Sequence, residues 1–341
     1  MIPNFSTSKL HLFFLIFFIN LLLYPQIGGV NTFEFLNLNT SPRSAALGGS
    51  LQSLVDDDVN SGIYNPAVIN YDMNSKVVFN YTNYYSDINY GNFGYSFSLF
   101  NRQFIASMKY VNYGLFNETN EFGQSIGEFS AGEYLISIGT SHSILDSLIS
   151  VGINTKLGYS SFYELNSLAL LFDLGFVYNL PNQNLSMSFL IRNLGHQIVP
   201  YYPGNYESLP FELSFGIVNK LAHVPLRWHL TLKHLETPDL SYDDYGLFSS
   251  QINYDNFAYN LLRHINFGAE FLIHKNINLL FGYNNKTRFE MLIEDRKGMV
   301  GFSYGFSFKI KRFQFIYSRV SHHFSGTLNS FGILTNLQKI D

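Results

Sequence analysis

From Lys76 to the end of the chain, apolar side chains occupy every second position of one segment after another, and this period-2 alternation limits the fold more than any other feature. In 92–99 the odd positions hold Phe93, Tyr95, Phe97 and Leu99, against Asn92, Gly94, Ser96 and Ser98. In 300–309, Val300, Phe302, Tyr304, Phe306 and Phe308 alternate with Gly301, Ser303, Gly305, Ser307 and Lys309. Neighbouring side chains of a strand point to opposite faces, so each segment reads as a strand with one apolar face and one small or polar face.

Fourteen such strands are predicted, over 76–86, 90–100, 102–113, 133–143, 148–160, 167–179, 183–194, 210–220, 225–236, 263–274, 276–285, 298–310, 312–322 and 327–337. Most match the roughly 9–11 residues that a tilted strand needs to cross a bilayer, where a soluble sandwich uses about 5–6. Only 13% of the 341 residues are charged and 17% are aromatic, with Phe 34 and Tyr 24. Soluble domains carry about 25% charge, so part of this surface faces something other than water. Membrane-spanning helices would need about 20 consecutive apolar residues, and past residue 25 the chain has no such run. In lipid a sheet must close on itself to leave no unpaired edge. The fold class is therefore all-β, a transmembrane antiparallel β-barrel with its Phe and Tyr series toward lipid and its Gly, Ser and Asn series lining a crowded lumen.

Tight links follow the even-numbered strands and longer ones the odd-numbered strands, with only the first, 87–89, breaking the rule; this is the pattern of a barrel with short periplasmic turns and long outer loops. This places 114–132, 195–209, 237–262 and 286–297 outside the cell as the expected partner-binding loops. Ahead of the apolar stretch 10–23 stands Lys9, and Gly28-Gly29 follows, so residues 1–29 read as a cleaved signal peptide, with a retained membrane anchor as the alternative.

Residues 30–75 lack the alternation. Ser41-Pro42 and the later Gly48-Gly49 bracket a short helix that carries Arg43. A second helical turn follows Asp56-Asp57-Asp58 and ends before Asn65-Pro66. A compact segment ahead of a barrel is expected to plug its lumen. The three acids are poor calcium ligands, because Ser61 and Ala67 stand where a calcium loop needs Gly and Glu; they read instead as helix caps or plug-to-wall salt bridges.

No phosphate loop, nucleophile elbow or zinc motif is present, so no catalytic residue, cofactor or metal is assigned and the chain is not expected to be an enzyme. His322-His323 would point to opposite faces of a strand, as would His229 and His234. With a net charge of −4 there is no basic field for nucleic acid. Cysteine is absent, which removes disulfides and thiolate sites.

Phe33-Glu34-Phe35-Leu36-Asn37-Leu38, Arg43-Ser44-Ala45-Ala46-Leu47-Gly48-Gly49, Asp56-Asp57-Asp58-Val59-Asn60, Asn65-Pro66-Ala67 and Asp87-Ile88-Asn89-Tyr90-Gly91 resemble the N-terminal region of the PorQ family of the type IX secretion system. The Arg43–Gly49 and Asn65–Ala67 elements are also shared with PorV and with FadL-like barrels. The resemblance implies a fourteen-stranded FadL-like barrel with an N-terminal plug in a Gram-negative outer membrane. It also implies a non-enzymatic anchor for a surface protein similar to PorZ, acting with PorU and PorV where secreted proteins are processed and attached to lipopolysaccharide. The wider likeness implies two alternatives, a transporter of hydrophobic small molecules and a PorV-like carrier of secreted substrates. One departure is the ending Leu337-Gln338-Lys339-Ile340-Asp341, where many such barrels finish in an aromatic residue.

Overall fold

The computed structural model describes residues 31–145, 148–240, 257–292, 298–323 and 326–338. The expected leader lies outside these residues, as do 241–256 and 293–297 of two expected loops. Fourteen strands, β1 Lys76–Asn83 to β14 Gly326–Asn336, each pair antiparallel with their sequence neighbours, and β14 closes on β1. Closure runs through eight residue pairs, from Lys76↔Asn336 to Asn83↔Asn329. All fourteen expected strands are present.

The alternation sorts the two faces as expected. Tyr81, Phe331, Tyr317, Phe306, Leu279, Phe271 and Leu226 are successive cross-strand partners, forming an apolar row over seven neighbouring strands. Phe306 is 41% exposed and Phe331 53%, an arrangement that water would penalise and acyl chains do not. The opposite face of the same strands carries Ser303, Ser307, Ser318 and Ser330, all buried.

Residues 31–75 occupy the lumen. Helix α1 (Pro42–Ala46) packs on β11 to β14, helix α2 (Val59–Tyr64) on β1 to β3, and the 3-10 turn Pro66–Val68 on β4 to β6. Ser53 and Ser188 of β7 share a hydrogen bond of 2.7 Å. The segment thus winds round the inner wall, from the outer end at residue 31 to the inner end at residue 75. Both helices use the predicted caps: Ser44 N–H donates to Ser41 Oγ (3.3 Å), and Asn60 N–H donates to Asp58 Oδ1 (2.9 Å). Gly48 and Gly49 end α1 with φ of 66° and 84°, a turn that glycine makes without Cβ strain.

Inward glycines seat the plug against the wall at ten strand positions. A Cβ at Gly152 would collide with the Pro66 carbonyl, and one at Gly282 with the backbone of Leu47 and Gly48. The crowded lumen read from the sequence is therefore a lumen filled by the backbone and side chains of residues 31–75.

The outer loops differ from expectation. Most of 114–132 is strand: β3 runs Arg102–Thr119 and β4 Ser125–Ile144, a hairpin of 18 and 20 residues closed by 120–124. Region 195–209 begins as strand, because β7 extends over Leu185–Val199. The start of 286–297 lies in helix α4 (Asn285–Met291), and the end of 237–262 in helix α3 (Phe257–Arg263). Both missed extensions lie just past a β-bulge. Tyr113 and Gly114 together oppose Ala131, and Arg192 and Asn193 together oppose Asp173. An extra residue flips the phase of the alternation, so a period-2 reading stops there.

Phe306→Arg, near the middle of β12, is expected to lower barrel stability by about 2–4 kcal/mol. Urea unfolding in lipid vesicles measures it, and an unchanged midpoint would mean that this face does not meet lipid.

Candidate functional site

Two regions carry the chemistry of this barrel: the charged lumen that holds the plug, and a cup at the outer mouth. Arg43 lies on α1, fully enclosed. Its Nε donates to Glu270 Oε1 of β10 (Ile265–His274) at 2.8 Å, and its Nη1 to Asp56 Oδ2 at 2.6 Å and Asp58 Oδ2 at 3.3 Å. Glu270 also receives Arg227 Nη1 at 2.8 Å. Asp57 turns the other way and accepts from Lys76 Nζ at 2.5 Å, at the start of β1. The three consecutive acids thus divide between the plug's own arginine and the wall, as caps and salt bridges rather than as a cluster around one ion. Against its burial, the Lys76 ammonium holds the Asp57 carboxyl below the usual range. Burial, opposed by Arg43 and reinforced by Asp56, pushes Asp58 up to about 6.

Of the other predicted motif residues, Gly48 lies against the Tyr283 backbone and Gly49 beside the Lys233 side chain. Asn65 caps the turn at Pro66 through Ala67 N–H (3.0 Å) and donates to the Gln52 carbonyl (2.7 Å). These residues hold the plug together; none of them lines the outer cup. His229 is enclosed in the lumen 3.9 Å from Glu270, whereas His234 lies past the end of β9 (Leu226–Leu232) and pairs with Glu236 at 3.1 Å.

A second charged group crosses the lumen nearer the outer end. Lys109 Nζ donates to the carbonyls of Leu36 (3.2 Å) and Leu38 (2.7 Å), Lys156 pairs with Asp173 at 2.6 Å, and the Arg192 guanidinium lies 4.3 Å from the centre of the Tyr64 ring. The void they share with the plug is about 60 Å³.

Above it opens the cup, about 380 Å³, between the plug start, the upper ends of β3 to β6 and the segment 200–211. Five rings follow one another along it: Phe35 to Phe33 (6.0 Å), Phe33 to Tyr201 (6.4 Å), Tyr201 to Phe162 (6.2 Å) and Phe162 to Tyr113 (5.5 Å). Tyr113 O–H donates to Glu133 Oε2 at 2.5 Å. Glu34 and Glu207 also line the cup, and none of its described lining residues is basic. Phe33 stands in the left-handed region, φ 59°, a conformation costly for a residue with a large side chain. Thr32 N–H donates to the Ser208 carbonyl (2.9 Å), tying the plug to segment 200–211.

The sequence reading missed the partners Glu270, Lys76 and Lys109 and the whole cup. The lumenal partners left a signal, since each is a charged residue at an inward position of a strand otherwise poor in charge. The cup left none, being assembled from six separate stretches of chain.

No protein-family model and no curated protein sequence matches the chain. Solved structures of similar fold include the deltaS2 mutant of the TodX monoaromatic hydrocarbon channel. It is 12% identical, with 89% of this chain and 98% of that chain covered and a TM-score of 0.52. The toluene transporter TodX of P. putida is 11% identical, with 87% and 98% covered and a TM-score of 0.50. At this identity the likeness establishes the fold, a closed barrel of the outer-membrane type.

Arg43→Met would leave Glu270 without its main partner, at an expected cost of about 3–5 kcal/mol. The loss is read as faster hydrogen exchange across 42–64, and Glu270→Gln in the same chain should recover part of it. Unchanged exchange would show that Arg43 does not hold the plug. Asp58 adds a pH dependence. Between about 6 and 3.8 the seated plug binds a proton that an unseated one releases, so its protection should rise as pH falls through this window. Asp58→Asn should flatten that rise, and a rise that persists would assign it to another group.

Proposed function

We propose that this barrel is a non-enzymatic outer-membrane component that anchors a surface protein, the role implied by its resemblance to the PorQ family. The observation that supports this reading best is the filled lumen. A solute entering at the cup would have to part Phe33 and Phe35, pass Lys109, Lys156 and Arg192, and then break the four contacts of Arg43 to carboxylates. Arg43 and Lys156 are enclosed and ion-paired, and breaking such a buried pair costs several kcal/mol, on the order of 3–5. The outer face, by contrast, offers a tall β3–β4 hairpin with Phe122 at its tip, 87% exposed. On this reading a PorZ-like protein is held at the outer face, with PorU and PorV as the neighbours that process and attach secreted proteins to lipopolysaccharide.

A second reading, transport of hydrophobic small molecules, draws support from the aromatic rings of the cup and from the shared fold of TodX, a monoaromatic hydrocarbon channel. The two readings make opposite demands on the plug, which must stay seated for anchoring and must yield for transport.

A photo-crosslinking residue at position 122, on the outer hairpin, is expected to capture a surface protein in intact cells. The same residue at position 100, in an inner turn and equally exposed, should not. That protein should appear in the medium when the barrel is deleted. Equal capture at both positions, or an unchanged cell surface after deletion, would sink the anchoring reading. Saturable uptake of toluene into vesicles holding the barrel would instead favour transport.

A further inference from the structure

We propose that the outer cup binds an organic cation, an ammonium or guanidinium group carried on an aliphatic or aromatic body. The inference rests on the cup's own geometry and does not depend on the anchoring reading. At about 380 Å³ the cup lies within the range of small-molecule sites, roughly 300–1,000 Å³. Of its run of five aromatic rings, Tyr201, Phe162 and Tyr113 are partly open to it while Phe33 and Phe35 are each 2% exposed, and ring faces carry the negative end of a quadrupole that attracts cations.

Carboxylates decide between ligand classes. Glu133 is 3% exposed, yet it is retained beside the rings and fixed there by the Tyr113 hydroxyl. Glu34 and Glu207 lie at the mouth with no Lys, Arg or His in the cup's described lining beside them, whereas Glu133 has a counter-charge in Lys109, which lies beneath the floor 5.8 Å from the centre of the Phe35 ring. A neutral hydrocarbon has no use for the two open carboxylates of Glu34 and Glu207, and an anion would be repelled by them. A cation with an apolar body meets both halves of the lining, rings for the body and carboxylates for the charge. Phe33 adds a second mark of a built site. Its left-handed backbone is held by the hydrogen bond from the neighbouring Thr32 to Ser208, and it brings the Phe33 ring to the floor of the cup.

The same chemistry has two sources, a free amine or a basic side chain displayed by a protein, and the experiment separates them. The full chain in dodecyl maltoside is titrated calorimetrically with choline and with its neutral isostere 3,3-dimethylbutan-1-ol. Parallel titrations use an end-capped lysine peptide and its Nε-acetyl form. Choline should bind more tightly than the isostere by on the order of tenfold, and the lysine peptide more tightly than the acetylated one. Of the two cations, a tighter peptide identifies a protein side chain as the source, and tighter choline identifies a free amine.

Tyr202, a sixth ring in the cup's lining, is 57% exposed; Tyr202→Leu and Glu207→Gln should each weaken the cation several-fold while leaving the circular dichroism of the barrel unchanged. Equal affinity for cation and isostere would overturn the proposal. So would variants that bind like the parent, or an absence of heat with both choline and the lysine peptide.

Discussion

The pairing of β1 with β14 is the interaction on which the rest of the structure depends. It removes the last unpaired edge, and with it the cost of exposing backbone donors and acceptors to hydrocarbon. Closure also sets the circumference. Eight strands make a barrel whose interior side chains can fill, and fourteen leave a wider space. Residues 31–75 follow from that number: they supply the interior that a wall of Gly, Ser and Asn leaves open. The small inward residues and the plug are two sides of one packing solution, because Gly152 and Gly282 admit backbone where a larger side chain would bar it.

Filling a lumen with short helices and loops brings polar backbone and charged side chains away from water. Buried ion pairs of this kind add little net stability over apolar replacements, since desolvation offsets their attraction. What they supply is a single seat. Arg43 meets Asp56 and Asp58 within the plug and Glu270 on the wall, so α1 can lie against β11 to β14 in one register only if β10 delivers that glutamate. Lys76 with Asp57 does the same at the inner end, and Lys109 with the carbonyls of Leu36 and Leu38 near the outer end. Three wall contacts at different heights leave the plug no way to slide.

How much of this was legible in the sequence depended on distance along the chain. The strands were legible because alternation is local, and the helix caps because Ser41 and Asp58 act within three residues of themselves. The three acids read together as helix caps or plug-to-wall salt bridges, and nothing local separates Asp57, which takes the wall through Lys76, from Asp56 and Asp58, which take Arg43. Glu270 was out of reach: it lies 227 residues from Arg43, and only closure brings the two together. The outer ends of β3 and β7 were lost for a different reason, the bulges at Tyr113-Gly114 and Arg192-Asn193 that shift the phase of the pattern. The first bulge lies at the edge of the cup and the second at the charged lumen. The local rule fails where the wall is bent to a purpose.

The cup and the seal share their residues, and this bears on what the barrel can do. Phe33 and Phe35 form the cup's inner lining and also belong to the segment that Lys109 grips and that Thr32 ties to Ser208. Withdrawing the plug to open a passage would remove those rings and leave only three of the five aromatics, Tyr201, Phe162 and Tyr113. Retaining the cup as a binding surface requires the lumen to stay filled. Binding at the mouth and passage through the lumen are therefore alternatives in this architecture rather than successive steps, and the enclosed charges beneath the cup favour the first.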